Sequence, residues 1–156
     1  MAETLGSLVD KLTIKDIREF HLHQMLEDKD DKFPKKQLKK KLEVLSGQKS
    51  LLIQEIDDFI IMASRGKFLL KDEKLKLYNA VKDMGRIPRT TKIGAAISGL
   101  ACKNLELWHL EDEARRKDVG LEYIGGIKRK IDLTNQQRND FIDKIDELFE
   151  KKIKKS

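Results

Sequence analysis

The sequence predicts an all-α protein in which two internally duplicated helical hairpins form a four-helix bundle, with one short extra helix between them. Three observations support this prediction. The 156-residue chain has only two prolines and 38% charged residues, a composition that favours long helices over sheets. Apolar residues recur at steps of three and four along four long segments. The first two of these segments also match the last two in sequence.

The duplication is read from two alignments of the chain with itself. Residues 5–23 align with residues 93–111, and residues 39–59 align with residues 128–148. Shared apolar positions are expected from helical periodicity, but shared polar residues are not. The identical polar pairs include His21 with His109, Gln48 with Gln137, and Asp57 with Asp146. We therefore predict two repeats related by a pseudo-twofold axis.

The turn signals set the boundaries of the predicted elements within a single domain, residues 1–156. Pro34 opens the second helix, and Gly66 is placed where that helix should stop. Repeat one covers about 3–64, and repeat two covers about 92–152. The predicted helices span 3–28, 34–64, 71–84, 92–117 and 122–152, the third of them being the short extra helix without a counterpart.

The second helix of each repeat carries an apolar seam that alternates steps of four and three residues, as in a coiled coil. A cation stands at the centre of each seam, Lys49 in repeat one and Arg138 in repeat two. A buried cation without a partner is costly, so we expect each to meet an acidic group or to line a wet cavity. The seam residues are Leu38, Leu42, Leu45, Lys49, Leu52, Ile56 and Phe59, and Ile127, Ile131, Thr134, Arg138, Phe141, Ile145 and Leu148.

The net charge of +6 is concentrated at the C-terminus, where residues 151–155 include four lysines. The rest of the chain is close to neutral, and we predict no nucleic-acid partner. Cys102 is the only cysteine, and the most apolar window, residues 93–102, is much shorter than the ~20 residues that span a bilayer. The N-terminus has no signal-peptide pattern. We expect a reduced, cytoplasmic protein without a membrane span.

Each repeat places an aromatic residue directly before a histidine, as Phe20-His21 and as Trp108-His109. Neighbouring residues of a helix point about 100° apart, so the two rings of a pair should face different neighbours. We expect Trp108 to pack within its own hairpin, in the phase of Ile97. The histidine of each repeat should turn toward the cation of the second helix.

Acidic residues around His109 make this histidine a candidate general acid or base. Asp112 and Glu113 lie one turn away and are the candidates to orient the imidazole, while Arg138 would hold an anionic group. The corresponding positions of repeat one lack these acids, so the candidate catalytic set belongs to repeat two. The alternative is an interior histidine whose hydrogen bonds serve the packing of the helices.

Metal chemistry has one sequence feature in its favour. Glu106 and His109 form an E-x-x-H element like those of di-iron carboxylate bundles, which need two such elements. The counterpart in repeat one places Arg18 where a ligand belongs, and His21 and His23 diverge by about 200° around a helix. We therefore predict no metal site and no other cofactor.

The segments NLELWHLEDEARR (104–116) and IKRKIDLTNQQRNDFIDKIDEL (127–148) resemble an uncharacterised bacterial family, a domain of unknown function with the pattern LWHxEDxAR … KRxIDxxNxxRNDxIxxID. The resemblance is specific over 104–148 and looser over 6–18, and repeat one departs from the pattern at Arg18, His23 and Lys49. It implies a fold, a candidate face and a link to surface-polysaccharide synthesis, without a reaction. The matching residues are Trp108, His109, Glu111, Asp112, Arg115, Lys128, Arg129, Asp132, Asn135, Arg138, Asn139 and Asp140.

Two functions stay open at this point. The first is a non-catalytic interaction or scaffold module that binds a protein partner or a second copy of itself, favoured by the long seams and by the small residues over 94–99. The alternative is a binder or an enzyme acting on a small anionic ligand of the phosphate or sugar type. Its ligand-binding residues would be Trp108, His109, Glu111, Asp112, Arg115, Arg129, Asn135, Arg138 and Asn139, with Phe20, His21 and Lys49 as pseudo-symmetric counterparts.

Overall fold

The structure, a computed structural model, describes residues 3–28, 32–66, 70 and 86–155. The described part of the chain confirms the predicted all-α class, since it forms four long helices and no strands. The predicted extra helix over 71–84 lies outside the described residues. The four helices are α1 (Leu5–Glu27), α2 (Lys35–Ser64), α3 (Ile93–Ala114) and α4 (Leu121–Lys154).

Helix α1 is central to the bundle, because it packs against each of the other three helices. Helices α3 and α4 form the second hairpin and lie along each other. Helix α2 packs along α1. Near the C-terminal ends of α2 and α4 these two helices meet, and there the ring centroids of Phe59 and Phe149 are 6.1 Å apart. Much of the surface of α2 is therefore left uncovered.

Local signals account for several helix ends. Thr4 caps α1, since its hydroxyl accepts a hydrogen bond from the backbone N–H of Ser7 at 3.2 Å. Pro34 occupies the N-cap position of α2, and α2 ends at Ser64 just before Gly66, whose φ of 69° is left-handed. The predicted start and stop signals of this helix are thus confirmed.

The core follows the seams that the sequence predicts. Every seam residue of α2 and α4 is buried or half-buried, including the two cations. Of the small residues over 94–99, Ala96 is fully buried and Gly99 packs so closely that an added Cβ would collide with the Phe141 ring. Gly94, Ala95 and Ser98 are exposed, so the expected close helix approach holds for only part of that stretch. Among the described helices, none is both long and apolar enough to cross a membrane.

Candidate functional site

A buried ion pair joins the two hairpins at the centre of the bundle. Asp10 of α1 accepts two hydrogen bonds from Arg138 of α4, from Nε to Oδ1 at 3.0 Å and from Nη2 to Oδ2 at 2.6 Å. The Asp10 side chain is 7% exposed and the Arg138 side chain 28%. This planar, two-point contact is the strong form of an arginine–carboxylate pair.

Neutral groups complete the hydrogen bonding of this pair. Asn104 of α3 donates through Nδ2 to Asp10 Oδ1 at 2.9 Å and to the Thr13 hydroxyl at 2.8 Å, and Arg138 also reaches Asn135 at 3.5 Å. Hydrogen bonding to Asp10 raises the pKa of Arg138, against the opposing effect of burial. The guanidinium that was expected to hold a ligand anion instead holds a carboxylate of its own chain.

The cation of the first hairpin is paired differently. Lys49 contacts the carboxylates of Asp16, at 2.7 Å, and Glu19, both on α1 of the same hairpin. The hydrogen bonds that Lys49 donates to Asp16 and, with a smaller effect, to Glu19 raise its pKa. Both seam cations therefore meet acidic partners, as predicted. The expected contact between Arg138 and His109 is wrong, because Arg138 crosses to the other hairpin.

The two aromatic–histidine pairs meet where α1 lies beside α3. The His21 ring stacks on the Trp108 indole, with centroids 4.5 Å apart and an interplanar angle of 12°, and it meets the His109 ring edge-on at 6.4 Å. Phe20 approaches His21 at 5.5 Å and is itself largely exposed. The expectation that Trp108 packs within its own hairpin is wrong, because its stacking partner comes from the first hairpin.

The two ring nitrogens of His21 differ in their surroundings. Its Nδ1 lies 3.1 Å from the Oε1 atom of Gln24. Its Nε2 is buried and has no hydrogen-bond partner among the described residues. The stacked imidazole thus retains one buried nitrogen without a partner.

This unpaired nitrogen gives a test of whether the rings serve packing alone. Replacing His21 by phenylalanine keeps a ring against Trp108 and removes the unpaired nitrogen, so the free energy of unfolding should stay the same or rise by about 1 kcal/mol. Replacing His21 by alanine should lower it by about 1 kcal/mol or more, because the stacking is lost. Urea unfolding followed by the emission of Trp108, the only tryptophan, measures both. A phenylalanine variant markedly less stable than the wild type would contradict this expectation, because a polar atom of His21 would then be needed at this position.

The acids that were candidates to orient His109 are used elsewhere. Asp112 pairs with Arg115 at 2.5 Å, and Glu113 accepts from the Tyr123 hydroxyl at 2.6 Å and from Arg116 at 3.0 Å. These pairs lie on the surface near the turn between α3 and α4. The Tyr123 hydroxyl, and then Arg116, lower the pKa of Glu113. The predicted network of His109 with Asp112 or Glu113 and Arg138 is therefore corrected.

The predicted ligand-binding residues are spread over three places rather than one pocket. Arg138 and Asn135 lie at the ion pair, Trp108 and His109 at the stacked rings, and Asp112 and Arg115 at the turn. Three others, Glu111, Arg129 and Asn139, are exposed.

The sequence reasoning missed Asp10, Thr13 and Asn104, which supply the partners of the buried pair. Their signal was available, since Asp10 and Thr13 share the α1 stripe of Gly6 and Ile17, and polar residues on a core stripe require partners.

Over the described residues, the fold and the ion pair define a four-helix bundle whose hairpins are tied by a buried polar cluster. The chain belongs to the family described as a protein of unknown function, DUF4254, whose profile matches residues 1–71 and 95–156. This membership confirms the expected resemblance to an uncharacterised family. No curated protein and no solved structure matches the chain.

Proposed function

We propose that the protein is a cytoplasmic, non-catalytic interaction module in which α2 pairs with a helix of another polypeptide. The observation that carries this proposal is the set of large apolar side chains on α2 outside its buried seam. Clustered exposed apolar groups on a soluble surface are typical of binding sites. The large apolar residues exposed on this helix are Val44, Leu51, Ile53, Ile60, Ile61 and Met62.

The pairing of the motif residues supports a non-catalytic role. Asp10 neutralises Arg138, and the acids near His109 are paired with arginines of the α3–α4 turn. A catalytic histidine needs an orienting group and a substrate-holding group within hydrogen-bond reach, and these contacts lie elsewhere. The resemblance to a family linked to surface-polysaccharide synthesis makes components of that machinery the partners to examine.

Site-specific photocrosslinking in the producing cells tests this proposal. A benzophenone amino acid at position 51 should form an adduct with a polypeptide, because the Leu51 side chain is 67% exposed on the proposed surface. The matched control is position 121, where Leu121 is 90% exposed on α4 and should give none. Absence of an adduct at position 51 would contradict the proposal. So would stabilisation by glucose 1-phosphate that is lost in His109→Ala, since this would favour a ligand site.

A further inference from the structure

A second heptad-like stripe runs along the solvent side of α2. Each of its main members directly precedes a buried seam residue: Val44 precedes Leu45, and Leu51 precedes Leu52. Since neighbouring residues differ by 100°, the second stripe lies beside the buried one. All of its members are exposed, and they follow steps of three and four. They are Gln37, Lys40, Val44, Gly47, Leu51, Glu55, Asp58 and Met62.

The exposed stripe is complementary to a second copy of itself that runs in the opposite direction. Around a point between Gly47 and Gln48, an apolar residue mirrors an apolar one, a base mirrors an acid, and an amide mirrors an acid. Within the described residues, neither Lys40 nor Glu55 forms an ion pair, so both are available to a partner. The mirrored pairs are Val44 with Leu51, Lys40 with Glu55, and Gln37 with Asp58.

We infer that α2 pairs antiparallel with α2 of a second copy of the chain, forming a twofold dimer. This inference rests on the proposed interaction function and names its partner. A twofold interface needs one patch in which residue i contacts residue j and j contacts i, and the stripe has this property. A parallel pairing would instead place Lys40 against Lys40 and Glu55 against Glu55, which like-charge repulsion disfavours.

A glycine at the centre of the proposed pairing, Gly47, supports the inference independently. Glycine in the middle of a helix is destabilising, yet Gly47 is exposed, and a Cβ added there would meet no described atom within 4 Å. The described part of the chain therefore contains no contact that requires glycine at this position. At the crossing point of two helices, the missing side chain lets the backbones approach closely.

A groove beside the stripe fits the same partner. It has a volume of about 490 Å³ and lies between α1 and the N-terminal half of α2. Leu22 and Leu45 supply apolar surface, while Arg18, Lys40 and Lys41 make the groove basic. In an antiparallel pair, this half of α2 faces the C-terminal half of the second α2, which carries the acids Glu55 and Asp58. The charges of the groove and of its occupant are therefore opposite.

Charge reversal tests the inference through the mass of the purified chain in sedimentation equilibrium. The wild-type chain should sediment as a dimer. Lys40→Glu and Glu55→Lys should each weaken the dimer more than about tenfold, because each places like charges in contact. The combined variant should regain the dimer. Lys39→Glu, an equal charge change off the stripe, is the matched control and should leave the affinity near that of the wild type.

Cysteine pairing tests the antiparallel register in a Cys102→Ser background. A chain with Val44→Cys mixed with a chain with Leu51→Cys should form a disulfide between copies. Either variant alone should not, because its two cysteines would lie about 10 Å apart along the helices, beyond disulfide reach. A disulfide between two copies of the Val44→Cys chain would show parallel pairing and overturn the inference.

A wild-type chain that is monomeric at every concentration would also overturn the inference. The proposed interaction function would still stand if position 51 crosslinks to a different polypeptide in cells. An adduct of twice the mass of the chain would support both.

Discussion

Replacing Asp10 by alanine should lower the free energy of unfolding by about 3 kcal/mol, the low end of the cost of breaking a buried ion pair. The variant leaves the Arg138 guanidinium inside the bundle without its carboxylate, and it removes one of the two acceptors of Asn104. Partial exposure of Arg138 moderates the cost, because water can reach one side of the group. Urea unfolding of the variant and of the wild type measures the difference.

Two further variants separate the charge effect from a general loss of packing. Asp10→Leu combined with Arg138→Met should recover most of the stability, since no charge then stays buried without a partner. Asp16→Ala is the matched control: its carboxylate is 53% exposed and Lys49 keeps Glu19, so the loss should be below about 1 kcal/mol. A loss of similar size in Asp10→Ala and Asp16→Ala would contradict the assignment of the central pair.

The helix order could be predicted because the seams of α2 and α4 are regular and their ends carry strong signals. Pro34 and Gly66 bound α2, and the seam from Leu38 to Phe59 has one phase throughout. Which helix packs against each seam could not be predicted from the sequence. Helical periodicity shows which face is buried, and it carries no information on whether that face meets one neighbour or two.

The partners of the polar seam residues depend on which helices pack against each seam, and the sequence pattern does not give this. Arg138 had acids available on both first helices, and the sequence reasoning chose those nearest to His109 on α3. The structure instead shows Asp10, because α4 packs against α1 as well as α3. The same packing of α1 beside α3 brings His21 onto Trp108. Contacts between hairpins were therefore missed, whereas elements within a hairpin were predicted.

The internal duplication stays a prediction. Two aligned glycines show that the two repeats are packed differently at matching positions. Gly6 of α1 aligns with Gly94 of α3. A Cβ added at Gly6 would lie less than 3.0 Å from the Ile142 carbonyl oxygen of α4, whereas one at Gly94 would meet no described atom within 4 Å. Helix α4 thus presses against α1, and α2 does not press against α3 in the same way.

Gly6→Ala should therefore be strongly destabilising, by about 3 kcal/mol, the upper part of the usual range for overpacking. The obstacle is a backbone carbonyl of α4, which cannot rotate away as a side chain can. Helix α1 would have to move back, which would break the 2.7 Å hydrogen bond from the Gly6 N–H to Asp146. It would also loosen Leu5 and Leu8 in the core.

Gly94→Ala is the matched control and should be neutral or stabilising by up to about 1 kcal/mol, because alanine is the better helix former and the site is open. Thermal and urea unfolding of the two variants, each compared with the wild type, give the difference. Equal losses of stability at both positions would mean that a helix packs as closely against Gly94 of α3 as α4 packs against Gly6 of α1. This outcome would contradict the asymmetric packing of the two hairpins. Unequal losses would locate the close contact between hairpins at α1 and α4, the two helices that also hold Asp10 and Arg138.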